Sequence, residues 1–275
     1  MDLTQMTREI EQYVIDLRRE FHAHPELSYH EERTTARIRE ELDRWNIPHE
    51  TVGHGNVVGL LDTGRPGKSL AIRADIDALP MDEPDKSRPY CSQVPGVMHS
   101  CGHDSHAAML LGTARVLSAI RDSLRGKVYF CFQVAEELGG GAPELVEYLQ
   151  AQGGVDGVIG THIDGGSDAG VIHLPDGPLM AGAHLYEITV QGSGGHGSRP
   201  DKAVDPIKPA CDILLKIAAI PAQYHNPFDT CVVSSCQIHA GSASNIIPET
   251  AVIGGNIRFF KYGDDELLLE RIRLV

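Results

Sequence analysis

Apolar positions near the start of the chain recur every three or four residues, which is the period of an amphipathic helix. The His24-Pro25 pair then ends this first helix. The positions that define its apolar face are Met6, Ile10, Val14, Leu17 and Phe21.

A second helix is predicted from a start signal followed by the same apolar spacing. Ser28 stands three residues before Glu31, which is the spacing of a capping box. Ile38, Leu42 and Trp45 continue the apolar face after it. The sequence therefore predicts that the second helix begins with Ser28 as its cap.

Short apolar runs alternate with further helical stretches over the next hundred residues. This alternation is typical of an α/β sheet with helices packed on its faces. The predicted strands cover residues 56–61, 69–74, 127–133 and 155–160, and the predicted helices cover residues 105–120 and 143–150.

The pattern changes near residue 180, where strands of alternating polarity replace the buried runs. The predicted order there is strand, helix, strand, strand, helix, which is an α+β unit of its own. We therefore place a domain boundary near Ala181, giving domains of residues 1–180 and 181–275. The elements are strands 185–191, 231–239 and 250–259, and helices 204–219 and 264–273.

Composition limits the possible partners and the compartment. The chain has 275 residues, with 24 Lys and Arg against 38 Asp and Glu, so its net charge is −14. Such an acidic chain is a poor partner for nucleic acid or for an anionic membrane surface. The six cysteines form no C-x-x-C pair, and neither a signal-peptide core nor a membrane-length apolar run is present. Free thiols in a cytoplasmic protein are the expectation.

Acidic and histidine side chains follow three of the predicted strands. Asp75 and Asp77 follow one strand, Glu136 and Glu137 follow another, and His162 follows a third. Ligand sites in open α/β sheets collect beyond the carboxyl ends of the strands, so we expect these groups to converge although they lie far apart in sequence.

Cys101 and His103 complete a set that suits metal-assisted hydrolysis. They lie two residues apart across a glycine, and a thiolate with imidazoles suits zinc or a similar divalent ion. Of the adjacent Glu136 and Glu137, one can bind metal while the other moves a proton. Taken singly, each residue could have a purely structural role, as a buried cysteine, a hydrogen-bonded histidine such as His106, or a surface acid. The joint pattern favours a metal site.

Two other patterns compete with this interpretation. Gly192, Gly194 and Gly197 spell G-x-G-x-x-G after a strand, but no helix opens directly from that turn, which counts against a dinucleotide site. A cysteine nucleophile, with Cys101 beside a histidine, would leave the two glutamates without a role.

Several motifs in one order give the chain a family resemblance. It carries HPELS, RADIDALP, MHSCGHDSHAAMLLG, AEE, GGHGS and GSASNIIPE. In these it resembles the aminoacylase-like metallopeptidases, the branch of N-acyl-amino-acid amidohydrolases, hippurate hydrolases and auxin-conjugate hydrolases. The resemblance implies a zinc-peptidase-like catalytic domain, with a mixed sheet flanked by helices, and a smaller α+β lid domain through which such proteins dimerise.

The resemblance also implies roles for individual residues and two divalent metal ions per chain, whether zinc, manganese or cobalt. Glu136 corresponds to the general base, Asp77 to the acid that orients a ligand histidine, and His196 to a lid histidine that stabilises the oxyanion. Asn245 and Arg258 correspond to groups near the substrate carboxylate. The metal ligands implied are Cys101, His103, Glu137 and His162.

The resemblance has limits that bear on function. After His162 the sequence reads Ile163-Asp164-Gly165-Gly166, where the family has an aromatic or apolar residue and proline. Family members also continue beyond the equivalent of Val275 and supply one more metal-binding histidine, so we expect the present chain to be incomplete. The predicted activity is hydrolysis of the amide bond of small N-acyl or N-aroyl amino acids. The alternatives are a carboxypeptidase or dipeptidase on short peptides, or an inactive binding or dimerisation protein.

Overall fold

The computed structural model describes residues 2–275, which form two compact units, Met1–Asp168 and Ala169–Val275. Among the described residues, no helix is long and apolar enough to cross a membrane.

The first unit is built on a mixed five-stranded sheet in the order β1-β2-β4-β3-β5. The pairs β1–β2 and β2–β4 are antiparallel, whereas β3 pairs in parallel with both β4 and β5. The strands are β1 (His49–Val52), β2 (Asn56–Asp62), β3 (Ser69–Asp75), β4 (Lys127–Gln133) and β5 (Gly157–Gly160). The helices are α1 (Leu3–Glu9), α2 (Glu11–Ala23), α3 (Glu32–Arg44), α4 (His103–Ala119) and α5 (Ala142–Ala151).

Strand β4 lies inside the sheet and is buried on both faces. Phe130 and Phe132 belong to the larger apolar cluster, with Leu42 and Leu111, whereas Tyr129 and Cys131 on the opposite face belong to a second cluster. Each such large apolar side chain contributes about 1.5–3 kcal/mol when fully buried. The predicted α/β fold with helices on both faces of a sheet is confirmed.

The structure corrects several details of the predicted elements. The first predicted helix is two helices, α1 and α2, that meet at Ile10. Strand β1 was not predicted. The strands β2 and β3, which follow one another in sequence, are not neighbours, because β4 lies between them.

The capping-box prediction at Ser28 and Glu31 is also wrong. Helix α3 begins at Glu32, and no side chain of its cap residue Glu31 bonds to it. The carboxylate of Glu26 caps the helix instead, accepting the backbone N–H groups of Arg33 and Thr34 at 2.9 and 2.7 Å. Ser28 and Glu31 are thereby left for other contacts.

The second unit contains a three-stranded antiparallel sheet in the order β6-β10-β8, and two short strands, β7 and β9, that pair separately. Helices α6 and α7 pack on the sheet through a core that includes Ile217, Ile253 and Leu268. The elements are β6 (Gly182–Gln191), β7 (Gly195–His196), α6 (Ile207–Tyr224), β8 (Cys231–Ala240), β9 (Ile246–Ile247), β10 (Thr250–Phe259) and α7 (Asp264–Arg273). The main strands and helices follow the predicted order.

Candidate metal centre

The carboxyl ends of β3, β4 and β5 bring the predicted residues of the first unit to one edge of the sheet. These three strands are parallel, so their ends point the same way. Asp77 follows β3, Glu136 and Glu137 lie in a short 3₁₀ turn after β4, and His162 follows β5. The amino end of α4 adds His103. The convergence that the strand ends predict is therefore present.

Within residues 2–275, three groups of side chains are close enough to hold a metal ion, and His103 belongs to all three. Within each group the ligand atoms lie within 4.8 Å of one another. The groups are Cys101 with His103 and His162, His103 with Glu136 and Glu137, and Asp75 with His103 and His106. The first two groups contain all four predicted ligands and the predicted base.

The protonation of His103 is set by its partner Asp77. Its Nδ1 lies 3.0 Å from the backbone oxygen and 3.1 Å from Oδ1 of Asp77, so Nδ1 carries a proton and donates it. In the neutral ring, the lone pair of Nε2 then points the other way. Nε2 is buried without a hydrogen-bond partner and lies 3.8 Å from a carboxylate oxygen of each of Glu136 and Glu137. A buried lone pair that faces carboxylates fits a divalent cation.

Asp77 connects three segments of the first unit. Besides His103, its carboxylate accepts the hydroxyl of Ser28 at 2.7 Å and the backbone N–H of Glu137 at 3.0 Å. Burial favours a higher pKa for Asp77, but the hydrogen bonds from His103, Ser28 and Glu137 outweigh it and lower the pKa. Asp77 therefore stays charged and holds the ring of His103 in one orientation.

Gly102 lets Cys101 and His103 face the same region. Its φ of 93° is in the left-handed range, and a Cβ there would lie 2.1 Å from Cδ1 of Ile163. The Sγ atom of Cys101 lies 3.3 Å from Nε2 of His162. Burial, together with the charge of Glu137, raises the pKa of the Cys101 thiol to about 12.

His106 connects two segments next to the metal centre through its two ring nitrogens. Its Nδ1 donates to Oδ1 of Asp75 at 2.5 Å, and its Nε2 accepts the backbone N–H of Ile163 at 2.9 Å. Both ring nitrogens are thus engaged, and the second bond anchors the residue that follows His162. This agrees with the structural role that the sequence indicates for His106.

The two glutamates differ in exposure. Their turn starts at Ala135, a non-glycine residue with φ 55° and ψ 37°, a left-handed conformation that costs roughly 1–2 kcal/mol. The side chain of Glu136 is 40 % exposed and that of Glu137 is 19 % exposed. The more buried carboxylate suits a ligand and the more accessible one suits proton transfer.

The remaining predicted residues lie in the second unit, on or beside its strands. Nδ1 of His196 accepts the backbone N–H of Ser198 at 3.2 Å, so the proton of the neutral ring is on Nε2. The backbone oxygen of Asn245 accepts the N–H of Gly197 at 2.7 Å, and Arg258 is exposed on β10. The glycine-rich stretch runs into the short strand β7 instead of a helix, so it lacks the geometry of a dinucleotide site.

Three further supporting residues escaped the sequence reasoning as parts of the site: Ser28, Glu31 and Asn56. Asn56 is fully buried and its Oδ1 accepts the backbone N–H of Val134 at 3.1 Å, just before the glutamate turn. Ser28 and Glu31 carried a signal, the Ser-x-x-Glu spacing, but that spacing resembles a local helix cap.

This geometry and the chain's relatives define one class of protein, the metal-dependent hydrolases. More particularly, residues 71–260 match the model of peptidase family M20/M25/M40, and the chain belongs to this family. The resemblance derived from the motifs is thereby confirmed.

Individual relatives extend over almost the whole chain. It is 40 % identical over 261 residues to an N-acyl-L-amino acid amidohydrolase of Geobacillus stearothermophilus, covering 94 % of this chain and 70 % of that protein. It is 41 % identical over 266 residues to thermostable carboxypeptidase 1 of Saccharolobus solfataricus, with 94 % and 67 % covered. The chain thus spans about two thirds of their length.

A solved structure shows the same fold. It is a Bacillus subtilis protein described as a dinuclear metal-binding peptidase of the M20 family. The TM-score is 0.80 at 34 % sequence identity, and the alignment covers 97 % of this chain and 69 % of that one.

Proposed function

We propose that the chain carries the metal-binding part of an enzyme that hydrolyses the amide bond of small N-acyl or N-aroyl amino acids. The observation that carries the proposal is the buried, unpartnered Nε2 of His103, which faces Glu136 and Glu137 at 3.8 Å. The names of the curated relatives support the substrate class, since they include an N-acyl-L-amino acid amidohydrolase and an N-acetylcysteine deacetylase.

Two divalent ions, whether zinc, manganese or cobalt, are the proposed cofactors. The residues that would hold them are Cys101, His103, Glu137 and His162. When bound, such ions polarise the amide carbonyl and lower the pKa of water.

The chain's own residues move the protons and stabilise charge. Glu136, the more exposed glutamate, takes a proton from the attacking water and passes it to the departing amine. Asp77 holds the ring of His103. By the family resemblance, His196 donates its Nε2 proton to the developing oxyanion, and Asn245 and Arg258 bind the substrate carboxylate.

Assembly and location are proposed on the same basis. The resemblance implies a homodimer formed through the second unit. The six free cysteines support a cytoplasmic location, because thiols persist in reducing compartments.

A second candidate function is cleavage of short peptides as a carboxypeptidase or dipeptidase, favoured by the 41 % identity to a carboxypeptidase. A panel of N-acetyl amino acids, N-benzoyl amino acids and dipeptides separates the two. We expect the first two classes to be cleaved faster, with turnover lost on chelation and restored by zinc, manganese or cobalt. Faster cleavage of dipeptides would favour the second candidate.

Elemental analysis tests the metal requirement independently of turnover. Two metals per chain are expected for the enzyme. A chain that binds none, or hydrolysis that persists after exhaustive chelation, would contradict the metal-dependent mechanism and favour a binding or dimerisation protein.

A further inference from the structure

Glu31 occupies the cap position of α3 but does not act as a cap. A serine, threonine, aspartate or asparagine side chain at such a position ordinarily accepts the first amides of its own helix. Here Glu26 already accepts the N–H groups of Arg33 and Thr34. The carboxylate of Glu31 is therefore available for another partner, although the residue is only 3 % exposed.

The partner of Glu31 is the backbone of the glutamate turn. One of its carboxylate oxygens accepts the N–H of Ala135 at 2.8 Å, across 104 residues of sequence. Asn56 accepts the preceding N–H, that of Val134, at 3.1 Å. Two buried side chains from distant segments thus hold successive amides at the point where β4 ends and the turn begins.

The bond to Ala135 matters because of that residue's conformation. Alanine disfavours the left-handed region that Ala135 occupies, whereas glycine enters it freely. If Ala135 relaxed to the extended region, the chain direction would change immediately before Glu136 and Glu137. An acceptor at the Ala135 N–H opposes this relaxation.

We infer that Glu31 is a positioning residue, which sets the direction of Glu136 and Glu137 by holding the amide of Ala135. The expected fall in kcat rests on the proposed function. The expected loss of metal does not, because metal binding can be measured without turnover. Glu31 itself lies outside the set of metal-binding and proton-transferring side chains.

The experiment compares Glu31→Ala with Glu26→Ala in the metal-loaded chain. Both variants remove a carboxylate that accepts backbone N–H groups, and the two residues are five positions apart. We expect E31A to lower kcat about 100-fold with KM changed less than about three-fold, because a small displacement of a catalytic group has this effect. E26A should lose thermal stability yet keep kcat within about three-fold.

Two further variants separate positioning from general damage. Glu31→Gln retains an oxygen that accepts the Ala135 N–H, so kcat should stay within about five-fold of the parent. In the double variant E31A with Ala135→Gly, glycine adopts the left-handed conformation without support. We expect it to recover about ten-fold of the lost kcat. Failure of this rescue would overturn the inference, as would equal losses in E31A and E26A.

Metal retention can be measured even if the proposed function is wrong. Against a competing chelator, E31A should lose metal at least about ten-fold more readily than E26A, since Glu137 is displaced. If the parent chain cleaves no amide, this comparison still decides the inference, and equal retention would overturn it. If E31A does not fold, the shorter carboxylate of Glu31→Asp replaces it, with the same ranking against E26A expected.

Discussion

In the unit Met1–Asp168 the side chain of the candidate residue Asp77 bonds to distant segments, whereas in the unit Ala169–Val275 the side chain of His196 bonds to a neighbour in sequence. Asp77 bonds to Ser28, His103 and Glu137, which lie 49, 26 and 60 residues away. His196 bonds to Ser198, two residues away, and is exposed. The first arrangement fixes ligand geometry through the whole fold, while the second leaves an accessible donor.

This difference predicts how substitutions act. In the first unit, a change in a supporting residue should spread to metal affinity, because several segments share one carboxylate. In the second unit, a change should remove one contact and leave the rest of the unit intact.

The largest expected effect is that of Glu136→Gln. Removing the proposed base should lower kcat by about 10³-fold or more, while both metals remain bound. Steady-state kinetics with elemental analysis measures this, and Glu147→Gln on exposed α5 is the matched control. A normal rate in E136Q would exclude Glu136 as the base.

In the second unit, His196→Ala should lower kcat about 100-fold without altering metal content or thermal stability, because an exposed donor is lost. His239→Ala, another exposed histidine of this unit, serves as the control. Should H196A bind less metal than H239A, the contrast between the two units would fail.

Within the first unit, Asp77→Asn should weaken metal binding by about 10- to 100-fold. This is the usual effect of changing a residue that hydrogen-bonds to a metal-binding histidine. The amide can present its nitrogen to His103 and disturb the protonation that turns the Nε2 lone pair toward the centre. Chelator competition measures the loss. Unchanged affinity would mean that the backbone oxygen of Asp77, 3.0 Å from Nδ1, suffices to orient the ring.

The smallest effect concerns stability and pH. Burial raises the pKa of Glu31 from 4.5 to about 6, only partly offset by the Ala135 amide, and the charge of Asp77 adds to the rise. The folded state therefore holds the proton more tightly than the unfolded state. Its stability should fall as pH rises from 4.5 to about 6, by up to about 2 kcal/mol.

Glu31→Gln does not titrate, so its stability relative to the parent should increase over the same interval. Urea unfolding of metal-free protein at several pH values measures this difference, and parallel curves would contradict it. If the curves diverge as expected, the charged Glu31 is a group that lowers stability while positioning the glutamate turn.

Much of the metal centre can be predicted from sequence because strand-end positions and ligand types are local properties. Asp77, Glu136 and His162 each follow an apolar run, and parallel strands bring such ends together. Ser28 and Glu31 could not be identified in this way. Their spacing is that of a helix cap, and only the fold shows that their partners are Asp77 and Ala135.

The strands and helices of the fold could be predicted to a similar extent, but the pairing of the strands could not. Buried runs such as that of β4 identify strands, but they carry no information on which strand is the neighbour. That β4 inserts between β2 and β3 follows from long-range pairing. The break at Ile10 could not be predicted from the apolar spacing, because that spacing continues through it.

Parallel pairing of β3 with β4 and β5 has a consequence for the order of folding. Parallel neighbours require long crossover connections, so the loops that close them form slowly. Cys101 and His162 are 61 residues apart and meet only when β5 has joined the sheet. A metal ion bound by both would therefore report that β5 has joined the sheet, and its uptake during refolding should lag behind the formation of helical structure.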